Sequence, residues 1–193
     1  MLLSTYGSIA IDANGAWNYT ASSAHPEFIA GTNYSDVFTV TSADGTTSTI
    51  TVNILGTNDA AVISTATANL TETNAPLSTS GTLTISDVDS AATFVASTIM
   101  GTYGSVAMQS NGQWVYTAST AHNEFVGGTT YSDVFTVTSA DGTTSTITVN
   151  ILGTNDAAVI STATANLTET NAPLSTSGTL TISDADSAAT FVA

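Results

Sequence analysis

The chain is one sequence written twice, with a period of 97 residues: Tyr6 recurs as Tyr103, Trp17 as Trp114, His25 as His122 and Asp36 as Asp133. From Tyr34 to Ala96, and again from Tyr131 to Ala193, the two copies differ only at Val88 and Ala185. A repeat of this length is one structural unit, so whatever a single period folds into, the chain contains it in tandem. Between Thr5 and Asn33 the copies diverge more. Ile9/Val106, Ile11/Met108 and Ile29/Val126 keep apolar character, whereas Asp12/Gln109, Ala16/Gln113, Asn18/Val115 and Pro26/Asn123 do not. Alternation of this kind places Ile9, Ile11, Trp17 and Tyr19 on the inner face of a sheet and their neighbours outside.

About seven short strands fit within one period. Leu83-Thr84-Ile85, Phe135-Thr136-Val137 and Ile147-Thr148-Val149-Asn150-Ile151 alternate apolar with polar residues. Asn111-Gly112 and Asp141-Gly142 each stand between two such runs, the strongest short-range hairpin signal. Only 121–128 could hold a short helical turn. Seven strands in 97 residues predict an all-β fold, an immunoglobulin-like β-sandwich per repeat. With no Cys in the chain, aliphatic and aromatic side chains must hold the two sheets together.

Composition narrows the function. The 193 residues contain no Lys and no Arg against 15 Asp and Glu, a formal charge of −15. Charged residues are only 8%, where an ordinary soluble domain has about 25%. Phosphate backbones are bound by Lys and Arg, so nucleic-acid binding is excluded, and an anionic bilayer would repel this surface. No apolar run approaches the ~18 residues of a membrane span, so insertion is not expected. Disorder would be the usual reading of a cation-free acidic chain. Here 42% hydrophobic residues, with about a third Ser or Thr between them, suit half-buried strands instead.

The domain phase is set by Gly56-Thr57-Asn58-Asp59-Ala60 and its copy Gly153-Thr154-Asn155-Asp156-Ala157, the most linker-like stretch of the period. A complete repeat then runs 58–154. Residues 1–57 are the C-terminal part of one repeat and 155–193 the N-terminal part of the next, as if the two periods came from a longer array. The two partial repeats are complementary, and could complete each other within one chain or between chains, head to tail; the latter contact builds a filament.

The acids gather at turns and strand ends: Asp59 in the linker, Glu72, Asp87 and Asp89, and Asp141 in the last hairpin turn. In such a sandwich the end of the second strand and the last hairpin turn lie near the N-terminal linker, which draws Asp87, Asp89 and Asp141 towards Asn58 and Asp59. Carboxylates crowded without a Lys or Arg repel one another unless a hard cation stands between them, and Ca²⁺ with its six to eight oxygen ligands suits such a cluster. The competing reading is local: Asp and Asn favour turns because their side chains bond nearby backbone, and Asp141 before Gly142 fits that role on its own. Asp133 reads as a strand-start hydrogen-bond acceptor. Asp12 becomes Gln109 in the second copy, so it holds no ligand role common to both. No catalytic residue emerges: His25 and His122 are the only imidazoles, and nothing places a nucleophile beside them.

Taken together, Gly101-Thr102-Tyr103-Gly104-Ser105, Asn111-Gly112, Trp114 and Tyr116, Gly128, Asp133-Val134-Phe135, Asp141-Gly142 and Gly153-Thr154-Asn155-Asp156-Ala157 resemble a VCBS-type repeat. Such repeats are the cadherin-like, immunoglobulin-like extender domains of giant RTX and biofilm-associated bacterial adhesins. The resemblance covers essentially the whole chain, twice. It implies type I secretion, an extracellular location on the bacterial cell surface, and Ca²⁺ stiffening the joints between neighbouring repeats. The order of an Asn-Asp linker, a Glu and an Asp-x-Asp is also similar to the ligand order of cadherin repeats. Carried over, it implies Asn58, Asp59, Glu72, Asp87 and Asp89 as ligands, and Asn155, Asp156, Glu169, Asp184 and Asp186 in the next copy. The family commonly has Pro after Asn-Asp-Ala, where Ala61 and Ala158 stand here.

The function expected is therefore a structural spacer in a surface adhesin or fibre, with no enzymatic activity. Two alternatives stand beside it: an adhesion module that binds glycan or a host surface, and a self-assembling filament subunit made by strand complementation.

Overall fold

A computed structural model describes residues 1–192. Ala193, the last position of the expected partial repeat 155–193, lies outside the described residues. The elements, in chain order, begin with β1 (Leu2–Leu3), β2 (Gly7–Ile11), β3 (Trp17–Ala21), β4 (Asn33–Thr41) and β5 (Thr47–Leu55). The complete period carries β6 (Val62–Ile63), β7 (Ala66–Thr71), β8 (Ser78–Thr82), β9 (Ile85–Ser86), β10 (Ser97–Met100), β11 (Gly104–Met108), β12 (Gln113–Ala118), β13 (Thr130–Thr138) and β14 (Thr144–Leu152). Last come β15 (Val159–Ile160) and β16 (Ile182–Ser183). There is no helix among the described residues, and the stretch 121–128 forms turns. The chain is all-β.

Two compact units emerge from the contacts. One comprises 1–63, 84–93 and 138–144; the other comprises 64–83, 94–137 and the described residues from 145 on. This grouping crosses the sequence period, because the Asp87–Ser90 turn and the turn after β13 hydrogen-bond to the Asn58–Ala61 linker and group with it.

In the second unit two sheets form, in the order β10-β11-β12-β8 and β13-β14-β7. Period-2 alternation decides which side chains meet between them: along β12 and β13 every second residue is buried. Val106, Met108, Trp114 and Tyr116 supply the first sheet's inner face, and Phe135, Val137, Ile147, Val149 and Ile151 the second's. Burying each of the larger ones contributes about 2–3 kcal/mol. Leu83 and Phe94 close one end of this core, fixed by the Leu83 N–H donating to Gly112 O (2.9 Å) and the Phe94 N–H donating to Ser110 O (3.0 Å). β7 is the exception to antiparallel pairing: it runs parallel to β14, with Ala66 opposite Ile147 and Thr71 opposite Leu152. That register decides where Glu72 ends up. Both expected hairpins are present, with Gly112 and Gly142 in the left-handed conformation (φ +88° and +92°) that a side chain disfavours.

In the first unit the same sequence makes a thinner structure. β1-β2-β3 form one sheet, β4-β5 a hairpin and β6-β9 a short pair. Parity is as expected, since Ile9 is fully buried, yet Trp17 is 50% exposed where Trp114 is 3% exposed. Ile11, also expected inside, is 43% exposed. The reason is the missing neighbour: β12 pairs with β8 on its free edge, and β3 has β2 alone.

Candidate metal centre

The linker between strand patterns is held from one side by a loop. Gly153 receives an N–H from Gly128 (3.0 Å) on its carbonyl and donates its own N–H to Thr129 O (2.8 Å). A Cβ at Gly153 would press on the Val126 and Phe125 carbonyls, so only glycine lets the loop approach this closely. The loop is itself rigid: Phe125 lies between His122 (4.6 Å, 10°) and Tyr131 (3.8 Å, 11°), and the Tyr131 hydroxyl accepts the Val126 N–H at 3.1 Å. His122 Nε2 lies 2.7 Å from Tyr103 O and its Nδ1 2.9 Å from Glu124 Oε1. His25, Phe28, Tyr34 and Gly56 repeat the arrangement in the first unit. Both histidines thus stiffen loops, and a serine hydroxyl stands beside each: Ser22 Oγ at 3.2 Å from His25 Nε2 and Ser119 Oγ at 3.3 Å from His122 Nε2.

Two acidic clusters stand where these linkers leave. In the first unit, Asp89 accepts the Asp59 N–H with both carboxylate oxygens at 3.3 Å. Asp141 accepts the Ala61 N–H (3.0 Å), the Thr143 N–H (3.0 Å), the Thr143 hydroxyl (2.7 Å) and the Ser139 hydroxyl, and the Asn58 amide lies at 3.4 Å. These donors hold the Asp141 carboxyl well below the usual carboxylate range. Asp87 caps its own turn, accepting the Asp89 and Ser90 N–H groups and the Ser90 hydroxyl. Its carboxyl is lowered by those bonds, whereas burial, with Asp87 and Asp59 nearby, pushes Asp89 up.

Glu72 belongs to the second cluster, in the other unit, and not with Asn58, Asp59, Asp87 and Asp89 as its place in the sequence suggests. Its N–H continues the β7/β14 ladder to Leu152 O (2.8 Å), which delivers it to the linker that follows β14. There it is 2% exposed, with one carboxylate oxygen taken by the Thr154 hydroxyl. The Asp156 N–H donates to Asp186 Oδ1 (3.3 Å), and Asp184 caps the turn to Asp186 and Ser187 as Asp87 does in its own copy. Asn155 donates its amide to Asp156 O (2.9 Å). Burial and then the negative charges of Glu72, Asp186 and Asp184 raise the Asp156 carboxyl. Glu169 is exposed and takes no part in either cluster.

Three of these acids each keep a buried oxygen without any hydrogen-bond donor: Glu72 Oε1, Asp156 Oδ2 and Asp186 Oδ2. Asn123 Oδ1, on the rigid loop, is a fourth. Sequence reasoning passed over Asn123; its only signal was the Pro26/Asn123 difference between copies. Asn74, Asn123, Asp156, Ser183 and Asp184 line a cleft of about 430 Å³. Buried oxygens without donors are costly, at about 1–3 kcal/mol each, and a hard cation is the ligand that satisfies them. Among the described residues, the side chains bring together no group of three or more His, Cys, Asp or Glu able to hold a metal ion as they stand. The donor set is nonetheless the all-oxygen kind that fits Ca²⁺.

Asp133 has the role its position suggested: buried, it accepts the Thr102 N–H (2.7 Å) and the Tyr103 N–H (2.9 Å). Asp36 does the same for Tyr6 and also binds the Tyr19 hydroxyl (2.9 Å).

The family model for the bacterial cadherin-like domain matches residues 58–153. These residues belong to that family. The sandwich of β7, β8 and β10–β14 is its immunoglobulin-like fold, and the flanking sequence repeats the same unit at a spacing of 97 residues. Among curated proteins, none matches the chain. Bacterial cadherin-like domains are structural and adhesion modules, typical of extracellular and surface proteins, and the chain fits an adhesin-type extracellular repeat.

Proposed function

We propose that the chain is a stretch of spacer repeats from a large bacterial surface adhesin or fibre, with Ca²⁺ stiffening the joint at each Asn-Asp linker. The observation that carries this is the trio of buried, donor-free oxygens on Glu72, Asp156 and Asp186. One acid comes from the end of β7, one from the linker and one from the turn after β16, so a cation held by all three ties the linker to the elements on either side of it. Asn155 and Asp184 complete the second cluster; Asn58, Asp59, Asp87, Asp89 and Asp141 would serve the first. Glu169 is the copy of Glu72 one period on, and would serve the next linker of an array in the same way. The near-identity of the copies supports length as the repeated property, since a recognition surface gains from diversification and a spacer does not. Nine-residue strands such as β13 and β14 span about 30 Å, so each repeat adds that order of reach.

Calorimetric titration of Ca²⁺ into the chain tests the reading. Extracellular modules bind at about 10⁻⁴–10⁻³ M. Saturable binding in that range, weakened at least tenfold by Asp186→Asn, is expected. Absence of saturable binding up to 10 mM, a concentration of about ten times the weaker limit, would overturn the calcium-stiffened joint.

A further inference from the structure

We infer that Asn123 is a ligand of the cation at the linker after β14, and that the Pro26/Asn123 difference between the copies grades one joint against another. That role rests on the calcium-held joint proposed above and adds a ligand to it. Asn123 and Pro26 occupy the same place in two loops of the same build. His122 and His25, which precede them, hold the left-handed conformation (φ +61° and +54°), uncommon for any residue but glycine. Each loop is stacked in the same way and clamped to its linker by the same pair of backbone bonds. The Gly31 N–H donates to Gly56 O (3.0 Å) and the Gly56 N–H to Thr32 O (2.9 Å), matching the Gly128, Gly153 and Thr129 bonds of the complete repeat. The backbone here is thus fixed in both copies, and the side chain is what differs. A Cβ at Gly127 would stand 3.1 Å from the Asn155 nitrogen, so the loop lies against the residue before Asp156.

The Asn123 carboxamide borders the same cleft of about 430 Å³ as Asp156 and Asp184, and its Oδ1 is buried without a donor. Glu72 and Asp186, 2% and 8% exposed, each hold an oxygen in the same condition, as Asp156 does. Both stand close enough to Asp156 for their charges to raise its carboxyl. The chain has no Lys or Arg to supply a counter-charge. A hard cation satisfies carbonyl and carboxylate oxygens together, and calcium takes carboxamide carbonyls among its ligands. Its affinity follows the ligand set and the rigidity of the site. Asn123 improves both terms, because it brings an oxygen without a further negative charge and brings it on an ordered loop. Proline has no side-chain oxygen, so a joint beside a loop of the Pro26 kind lacks this ligand. The position lies outside the nearly identical stretches 34–96 and 131–193, so one residue per repeat sets how much calcium a joint needs to stiffen.

Two substitutions test this by calorimetric titration of Ca²⁺ and by thermal unfolding in calcium and in chelator. Asn123→Pro copies what the chain already carries at Pro26, so the loop tolerates it. Asn123→Leu keeps the bulk and removes the oxygen. Both should weaken the phase of calcium binding that Asp186→Asn weakens, by about tenfold or more, the least that loss of even an outer partner of a metal ligand typically costs. Both should also lower the midpoint in calcium and leave it unlowered in chelator, since a buried oxygen without a donor contributes nothing to the empty site. Wild-type affinity in both variants, or a midpoint lowered equally with and without calcium, would overturn the role of Asn123 and leave the calcium-held joint standing. Failure of the wild-type chain to bind calcium would overturn the joint and the role together.

Discussion

Asp141, in a hairpin turn, and Asp156, in a linker, are the same residue type, and their surroundings push them in opposite directions. Asp141 is ionised within a ring of donors, so its folded carboxyl lies below the ordinary 3.8. Its contribution to stability is complete above that value and is lost as pH falls through it towards the folded value. Asp156 is raised by burial and by Glu72, Asp186 and Asp184, so ionising it costs stability as pH rises through its folded value, and relief comes on acidification. In chelator, Asp156→Asn should therefore raise the denaturation midpoint at pH 7, and the gain should vanish near pH 4. Asp141→Asn should lower the midpoint at pH 7 and leave a flatter decline between pH 5 and pH 3 than the wild type shows. Urea unfolding across that pH range measures both.

At the level of elements, identical sequences placed against different neighbours should respond differently to the same change. Leu83→Ala removes a fully packed side chain and should cost about 2–5 kcal/mol in chemical denaturation. Leu180→Ala, in dilute solution, should stay within about 0.5 kcal/mol of the wild type. Gly153→Ala, which drives a methyl against the Val126 and Phe125 carbonyls, should cost about 1–3 kcal/mol and loosen the linker's exit. Strand parity was legible because substitutions between the copies keep apolar character on one face and not on the other: Ile9/Val106 and Ile11/Met108 stay apolar while Asp12/Gln109 changes. The Asn-Gly and Asp-Gly turns were legible for a local reason, the positive φ that glycine supplies. The exposure of Trp17 was not legible, since burial of Trp114 depends on pairing with β8, some thirty residues upstream, and β3 has β2 alone beside it. Nor was the company Glu72 keeps. Its sequence neighbours suggested Asp59 and Asp89, but parallel pairing of β7 with β14 carries it to the following linker. Asn123 was invisible for a third reason: an amide on a loop has no pattern until burial strips it of partners.

For the whole molecule, a charge of −15 with no Lys or Arg leaves its crowded carboxylates without fixed counter-charge. Two of the acids, Asp133 and Asp36, are satisfied by backbone N–H groups, and others by turn donors. What remains unsatisfied gathers at the linker after β14, where an array of such repeats must bend or be stiff. In an array, calcium would then act on persistence more than on the fold of any one sandwich. Thermal unfolding in 10 mM Ca²⁺ against chelator reads the calcium-stiffened joint most directly. At the affinities typical of extracellular modules, binding adds about 1.4–2.7 kcal/mol per site, which for a repeat of this size raises the midpoint by about 5 °C or more. That rise is expected, with its loss in Glu72→Gln; a midpoint unchanged by calcium would contradict a calcium-held joint.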